Sequence, residues 1–265
     1  MTLTVTWTLM LATMAACQTT TAPATQPADA PAATQPGETP APGAEVESWL
    51  DRIEQHSQKI KTYAAAVRYD RVQQLVGDKQ IRFGTLSYDA GPPARVAVHF
   101  NQVVVDDARR PQDQWWVFDG IWLVERHDAQ KQFIKRQVVD PKDKDADPLA
   151  LGSGPFAVPL NARKQEVLRR FEVELIAPAQ DDPADAVHLR FKPRPGADAD
   201  FTVADLWYHR QTLLPLRVRT ADDSENVSLI QLSEAKVNEP VDARLFDTTP
   251  PTERGWLVEI TPLEP

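Results

Sequence analysis

Two periodicities divide the chain. Apolar residues recur at helical spacing through Val46, Trp49, Leu50, Ile53 and Ile60, predicting one amphipathic helix from near Ala44 to about Thr62. From Tyr63 the period changes to two. Val96, Val98 and Phe100 alternate with Arg95, Ala97 and His99, and Leu214, Leu216 and Val218 alternate with Pro215, Arg217 and Arg219. Alternation of this kind marks strands with one buried face. Turn-forming clusters separate the strands at Gly77-Asp78, Gly91-Pro92-Pro93, Asp119-Gly120, Asp128-Ala129 and Asp181-Asp182-Pro183. About eleven strands are predicted between Tyr63 and Val237. A short helix is predicted near Asn161 to Arg169, and a further helical turn around Asp147 to Leu151.

Successive strands joined by short loops form an antiparallel meander. Closed barrels of about eight strands fill their interior with side chains, so about eleven would leave a hollow. The first helix is the natural plug, with Trp49 and Ile53 pointing inward, opposite a wall formed by Val96, Val98 and Phe100. Adjacent aromatics such as Trp115 and Trp116, or Trp207 and Tyr208, must face opposite sides of a strand. One of each pair would therefore line the interior, and periodicity alone does not say which.

The N-terminal segment reads differently. Leu3 to Met14 is a short apolar run, followed by Ala15, Ala16 and the single cysteine, Cys17. The run is too short to span a bilayer and has the small residues of a cleavage site. Met14-Ala15-Ala16-Cys17 resembles a bacterial lipobox, in which the cysteine is acylated and becomes the new N-terminus. Met14 stands where Leu is usual, and no Lys or Arg precedes the run. The alternative is a plain signal peptide with an incidental cysteine, and either way the protein is exported. Pro23, Pro27, Pro31, Pro36, Pro40 and Pro42 alternate with Ala and Thr up to Gly43, the composition of an extended tether. The expected organisation is a lipoprotein-type signal over 1–16, a lipidated cysteine and tether over 17–43, and one folded domain over 44–265.

Charge and chemistry narrow the function. The formal net charge of -9 opposes binding to phosphate backbones, so nucleic acid is not an expected partner, and it opposes an anionic membrane surface equally. One cysteine allows no internal disulfide. His56, His99, His127, His188 and His209 are scattered, without the spacing of a metal-binding helix. Gly152-Ser153-Gly154 is not a nucleophile elbow. The run Asp140, Asp143, Asp145, Asp147 is interrupted by Lys142 and Lys144 and lacks the glycine and closing glutamate of a calcium loop. No enzyme activity, metal or cofactor is expected.

The domain from about Val46 to Trp256 resembles the LolA-like lipoprotein carriers, with LolB and RseB as relatives. The resemblance runs in order through the N-terminal helix, Gly84-Thr85-Leu86, Pro92-Pro93, the strand Val96 to Phe100, Asp119-Gly120 with Trp122, and Gly154-Pro155-Phe156. It continues through Leu213 to Asp222 and ends at Leu245-Phe246-Asp247-Thr248-Thr249-Pro250-Pro251 with Gly255. It implies an incomplete, open antiparallel β-barrel of eleven strands, mainly β and closed by a helical lid or plug. It also implies binding of the acyl chains of lipoproteins or lipids in an apolar cavity. A carrier or membrane transport complex is the implied partner, and the protein is expected to be monomeric. The carriers' Arg and Phe that govern lid opening correspond to Pro92 and Val96, with Arg95 on the opposite strand face, so that lock is missing here. An RseB-like sensor of lipid or misfolded protein is the alternative. Gln18, where Asp would signal inner-membrane retention, favours an outer-membrane anchor facing the periplasm.

Overall fold

The computed structural model describes residues 42–263, apart from 76, 143–150 and 152–157. The export signal, Cys17, most of the tether, the turn drawn at Asp147, and the Gly152 to Phe156 segment lie outside the described residues. Helix α1 (Pro42–Ser57) begins inside the segment expected to be tether, because proline fits a helix's first turn, where no backbone donor is needed. Its apolar stripe of Val46, Trp49, Leu50 and Ile53 is buried. The helix also stops earlier than expected. Lys59 and Ile60 donate backbone hydrogen bonds to His56 and Ser57 in a tight turn, so Ile60 is buried by the chain leaving the helix.

Twelve strands follow: β1 (Thr62–Gln73), β2 (Asp78–Asp89), β3 (Arg95–Val105), β4 (Ala108–Phe118), β5 (Trp122–His127), β6 (Gln132–Gln137), β7 (Phe171–Ile176), β8 (Ala186–Pro193), β9 (Val203–His209), β10 (Pro215–Ala221), β11 (Val227–Val237) and β12 (Leu257–Thr261). A second helix, α2 (Lys164–Arg170), precedes β7. Among the described residues the strands form one sheet, β12-β6-β5-β4-β3-β2-β1-β11-β10-β9-β8-β7, which is not closed: β12 and β7 are its two ends. The eleven strands β1 to β11 pair antiparallel, while β12 pairs parallel with β6. The expected count of about eleven antiparallel strands between Tyr63 and Val237 is met by β1 to β11, and β12, beyond that span, makes the sheet a mixed one of twelve. β12 escaped prediction because all five of its residues are exposed, so no burial imposes alternation on Leu257, Val258 and Ile260.

Burial elsewhere follows the strand period. In β1, Tyr63, Ala65, Val67 and Tyr69 are buried on the inner face, and in β8 so are Val187, Leu189 and Phe191. In β10 the predicted alternation fails. Register slips between Pro215 and Arg217, making Leu216 the extra residue of a bulge, and Pro215 is buried in its place. The β3 ladder slips between Phe100 and Gln102, and there Gly84 of β2 comes so close to β3 that no side chain fits.

A second, smaller core lies on the outer face. The chain after β11 crosses Ala97, Val117, Val124 and Phe133 and buries Phe246 against them. Thr248 Oγ1 donates to Asp119 Oδ2 at 2.6 Å, and Lys135 Nζ donates to the Thr248 carbonyl at 3.1 Å. Arg95 points to this face, its guanidinium 4.8 Å from the Phe246 ring centre. The Asp119-Gly120 turn, Pro93 and the Phe246 segment, separate in sequence, therefore pack as one cluster. A methyl on Gly120 would collide with Pro93.

Candidate functional site

Helices α1 and α2 lie on the inner face of the sheet, α1 touching β7 and α2. Lys164 Nζ of α2 ties the helices together, 2.8 Å from Asp51 Oδ2 and 3.2 Å from Glu47 Oε2 of α1. Hollows open on this face, one where the helices meet the sheet and one against β1 to β4 and β11. The first, of about 490 Å³, is lined by Leu50 and Ile53 of α1, Val167 of α2, and Phe171, Leu206 and Tyr208 of the sheet. Arg163, Glu166 and Arg170 supply its charged lining. Glu166 Oε1 is engaged by Arg169 Nη2 at 2.6 Å, and that hydrogen bond holds its carboxyl below the usual range. The second, of about 260 Å³, is lined by Val67, Tyr69, Leu86, Val98, Phe100 and Trp116, with Val158 and Ile230. Its aromatic wall is ordered: Phe100 and Trp116 meet edge to face at 5.5 Å, and Tyr69 stacks on Phe100 at 6.0 Å.

The predicted site residues therefore divide. Val98 and Phe100 line the second hollow and Ile53 the first. Trp49 and Val96 are buried in the main core and line neither of these hollows. The Trp49 ring is covered by the guanidinium of Arg52 at 4.1 Å and of Arg210 at 5.8 Å. α1 packs on β7 and α2, and neither of these hollows is lined by both α1 and β3. The aromatic pairs resolve as well. Trp116 and Tyr208 face inward, while Trp115 and Trp207 face outward, stacked on His99 at 3.8 Å and His188 at 4.1 Å.

Val67, Tyr69, Leu206 and Phe171 were not singled out from sequence. The signal was available: Ala65-Val67-Tyr69 and Ala204-Leu206-Tyr208 alternate as plainly as the β3 triplet.

On the outer face, His188 Nε2 lies 3.0 Å from Asp205 Oδ1, an acceptor also reached by Arg190 Nε at 2.7 Å. Burial alone would raise the Asp205 pKa, but the bonds from His188 and Arg190 pull it below the usual carboxylate value. The cluster pins β8 to β9. Among the described residues, no group of three or more His, Cys, Asp or Glu is arranged to hold a metal ion.

No protein-family model matches the chain, and no curated protein matches it significantly. Solved structures do resemble it. The Pseudomonas aeruginosa MucA/MucB complex contains a chain 15% identical, with a TM-score of 0.41, covering 76% of this chain and 60% of that one. The Mycobacterium tuberculosis lipoprotein LppX is 12% identical with a TM-score of 0.40, covering 75% of this chain and 98% of LppX. A LolA superfamily protein from Nitrosomonas europaea is 10% identical with a TM-score of 0.28, covering 75% and 97%. At such identities and scores, function must be read from the site itself.

Proposed function

We propose that this chain binds the acyl chains of lipoproteins or other lipids within the half-barrel, and acts in lipoprotein localisation or transfer at the cell envelope. The observation that carries the reading is the inner face itself. It leaves one hollow beside α1 and α2 and another against β1 to β4 and β11, both with mainly aliphatic and aromatic linings. Ligand sites are concave and mostly apolar. An acyl chain is the ligand such walls suit, since it offers apolar surface without hydrogen-bond demands. In this reading the protein is exported and anchored through an acylated Cys17, with the domain facing the periplasm, at the outer membrane by preference.

A second reading, an envelope sensor that binds a partner protein, is favoured by one feature. Among the described residues β12 ends the sheet with an unpaired edge, and it exposes Leu257, Val258 and Ile260. Exposed edges of this kind accept an added strand.

Native mass spectrometry tests both. The full chain carrying Cys17→Ala, so that no acyl group of its own competes for the hollows, is purified from a periplasm without detergent. Co-purified lipid is the expected result. An empty domain with a bound protein would favour the sensor, and neither lipid nor partner would refute both.

A further inference from the structure

Beyond Tyr69 and Phe100 the inner face of the sheet stops being apolar. Arg82 stands directly opposite Tyr69 in the β1–β2 ladder, and Gln114 directly opposite Phe100 in the β3–β4 ladder. His127 is in turn opposite Gln114 in the β4–β5 ladder. These residues make a polar layer against one end of the second hollow. Gln112 Nε2 donates to Gln114 Oε1 at 2.9 Å, and Gln114 Nε2 lies 3.5 Å from His127 Nε2. Gln114 is only 4% exposed.

The layer is incompletely satisfied. Arg82 Nη2 donates to Gln80 Oε1 at 2.6 Å, but its Nε is buried with no partner, and so is Gln112 Oε1. The nearby carboxylates are engaged elsewhere. Asp78 accepts from Gln80 at 2.7 Å, Glu125 from Arg136 at 3.0 Å, and Asp128 from Arg126 at 2.6 Å. Among the described residues no carboxylate forms an ion pair with Arg82. A half-buried guanidinium with an unused N–H, beside an apolar hollow, is the complement of an anionic oxygen at the end of a hydrocarbon chain. Desolvation acts in the same direction, because burial lowers the pKa of both Arg82 and His127, which marks a site drier than the surface. Arg71 is the other cation acting on Arg82, and it is exposed.

We propose that Arg82, Gln112, Gln114 and His127 form a headgroup subsite for an anionic amphiphile, whose chain lies in the hollow of Val67, Leu86, Val98, Phe100 and Trp116. The subsite rests on the acyl-binding reading and narrows its ligands. A carboxylate or a phosphate monoester is accepted, an uncharged head is bound less tightly, and a cationic head is rejected. The guanidinium donates to the anion through Nε, and the Gln112 carbonyl oxygen accepts a hydroxyl or water on the same head.

Matched twelve-carbon probes test this on the full chain carrying Cys17→Ala: dodecanoate, dodecyl phosphate, dodecanol and dodecyltrimethylammonium, titrated by calorimetry below micelle-forming concentrations. The two anions should bind more tightly than the alcohol, and the cation least. A charge-assisted bond is lost in Arg82→Gln, which should weaken both anions about ten- to a hundredfold and leave dodecanol within about twofold. Arg82→Lys should keep the preference for anions, and Arg254→Gln, at an exposed position lining neither hollow, should not alter it. Far-UV circular dichroism establishes that each variant is folded. Dodecanoate binding without dodecyl phosphate binding would assign the subsite to fatty carboxylates; the reverse would assign it to phosphorylated lipids. If dodecanol binds as tightly as the anions, or Arg82→Gln weakens all probes alike, the subsite is refuted while acyl binding stands. If none of the probes binds the parent chain, the acyl-binding reading falls, and the subsite with it.

Discussion

Gly84→Ala is a one-carbon change whose effect follows from the approach of β2 to β3. A Cβ at position 84 would lie 2.8 Å from the His99 carbonyl carbon and 2.9 Å from Phe100 Cα, and closer still to the His99 carbonyl oxygen. Carbon atoms in contact sit about 3.5–4.0 Å apart, so the two strands must part by roughly 1 Å. A ladder bond of about 2.9 Å stretched that far is no longer a hydrogen bond. Two such bonds at about 0.5–1.5 kcal/mol each, with the strain of displacing Phe100, give a loss of about 2–4 kcal/mol. In a domain of this size each kcal/mol lowers the melting temperature by about 2–4 °C, so Gly84→Ala should melt about 5–15 °C below the parent. Gly43→Ala is the control, since its Cβ meets nothing within 4 Å. Thermal unfolding followed by far-UV circular dichroism reads the difference. A Gly84→Ala protein melting within about 2 °C of the parent would refute the close approach of β2 to β3.

Three further outcomes are expected. Val98→Thr places a hydroxyl in an apolar wall at nearly constant shape and should destabilise by about 1–3 kcal/mol. It should also weaken dodecanol binding more than Arg219→Thr on the outer face, and equal affinities in two folded variants would count against Val98 as a wall residue. His127 has its pKa lowered first by burial from the ordinary 6.5, so as pH falls below that value the unfolded chain takes up its proton before the folded one does. Stability from neutral His127 is therefore fully present above about pH 6.5, declines toward the lower folded pKa and then levels off; in His127→Gln the urea midpoint should lose that acid limb. Cys17→Ala should abolish metabolic labelling by fatty acid and release the protein from the membrane. An unlabelled parent band would end the anchor proposal.

The sequence made some elements plain because a single physical demand acted on them. The five turn clusters all mark strand junctions, Asp78 being the first residue of β2, and the β3 triplet is buried as its alternation requires. Other features depend on relations between elements. Whether Ile53 shares a hollow with Val98 depends on where α1 lands, and the stripe of a helix does not specify which end of a sheet it covers. The β10 bulge at Leu216 leaves the apolar count unchanged and only shifts which residue faces inward. Arg82 was overlooked for a different reason. The β2 period runs through Gln80, Arg82, Gly84, Leu86 and Tyr88, and a charged residue on an apolar face reads as a break in the pattern, although it marks the place where the interior turns polar.

The sheet order also sets an assembly sequence. β1 to β6 and β7 to β11 are two meanders whose neighbours in space are neighbours in the chain, so each can zip locally. They join at one seam, where β1 meets β11 and Tyr63 lies across from Val237, residues from opposite ends of the domain. That ladder has to close a long loop before any of its bonds form, which makes it the slow step. Only afterwards does the strap after β11 pass over the outer face and lay β12 along β6. Until that last strand arrives, β6 is a bare edge, open to pairing with any other extended chain. Pulse-labelled amide exchange should find the β2 and β8 amides protected before those of the seam, with β12 protected last.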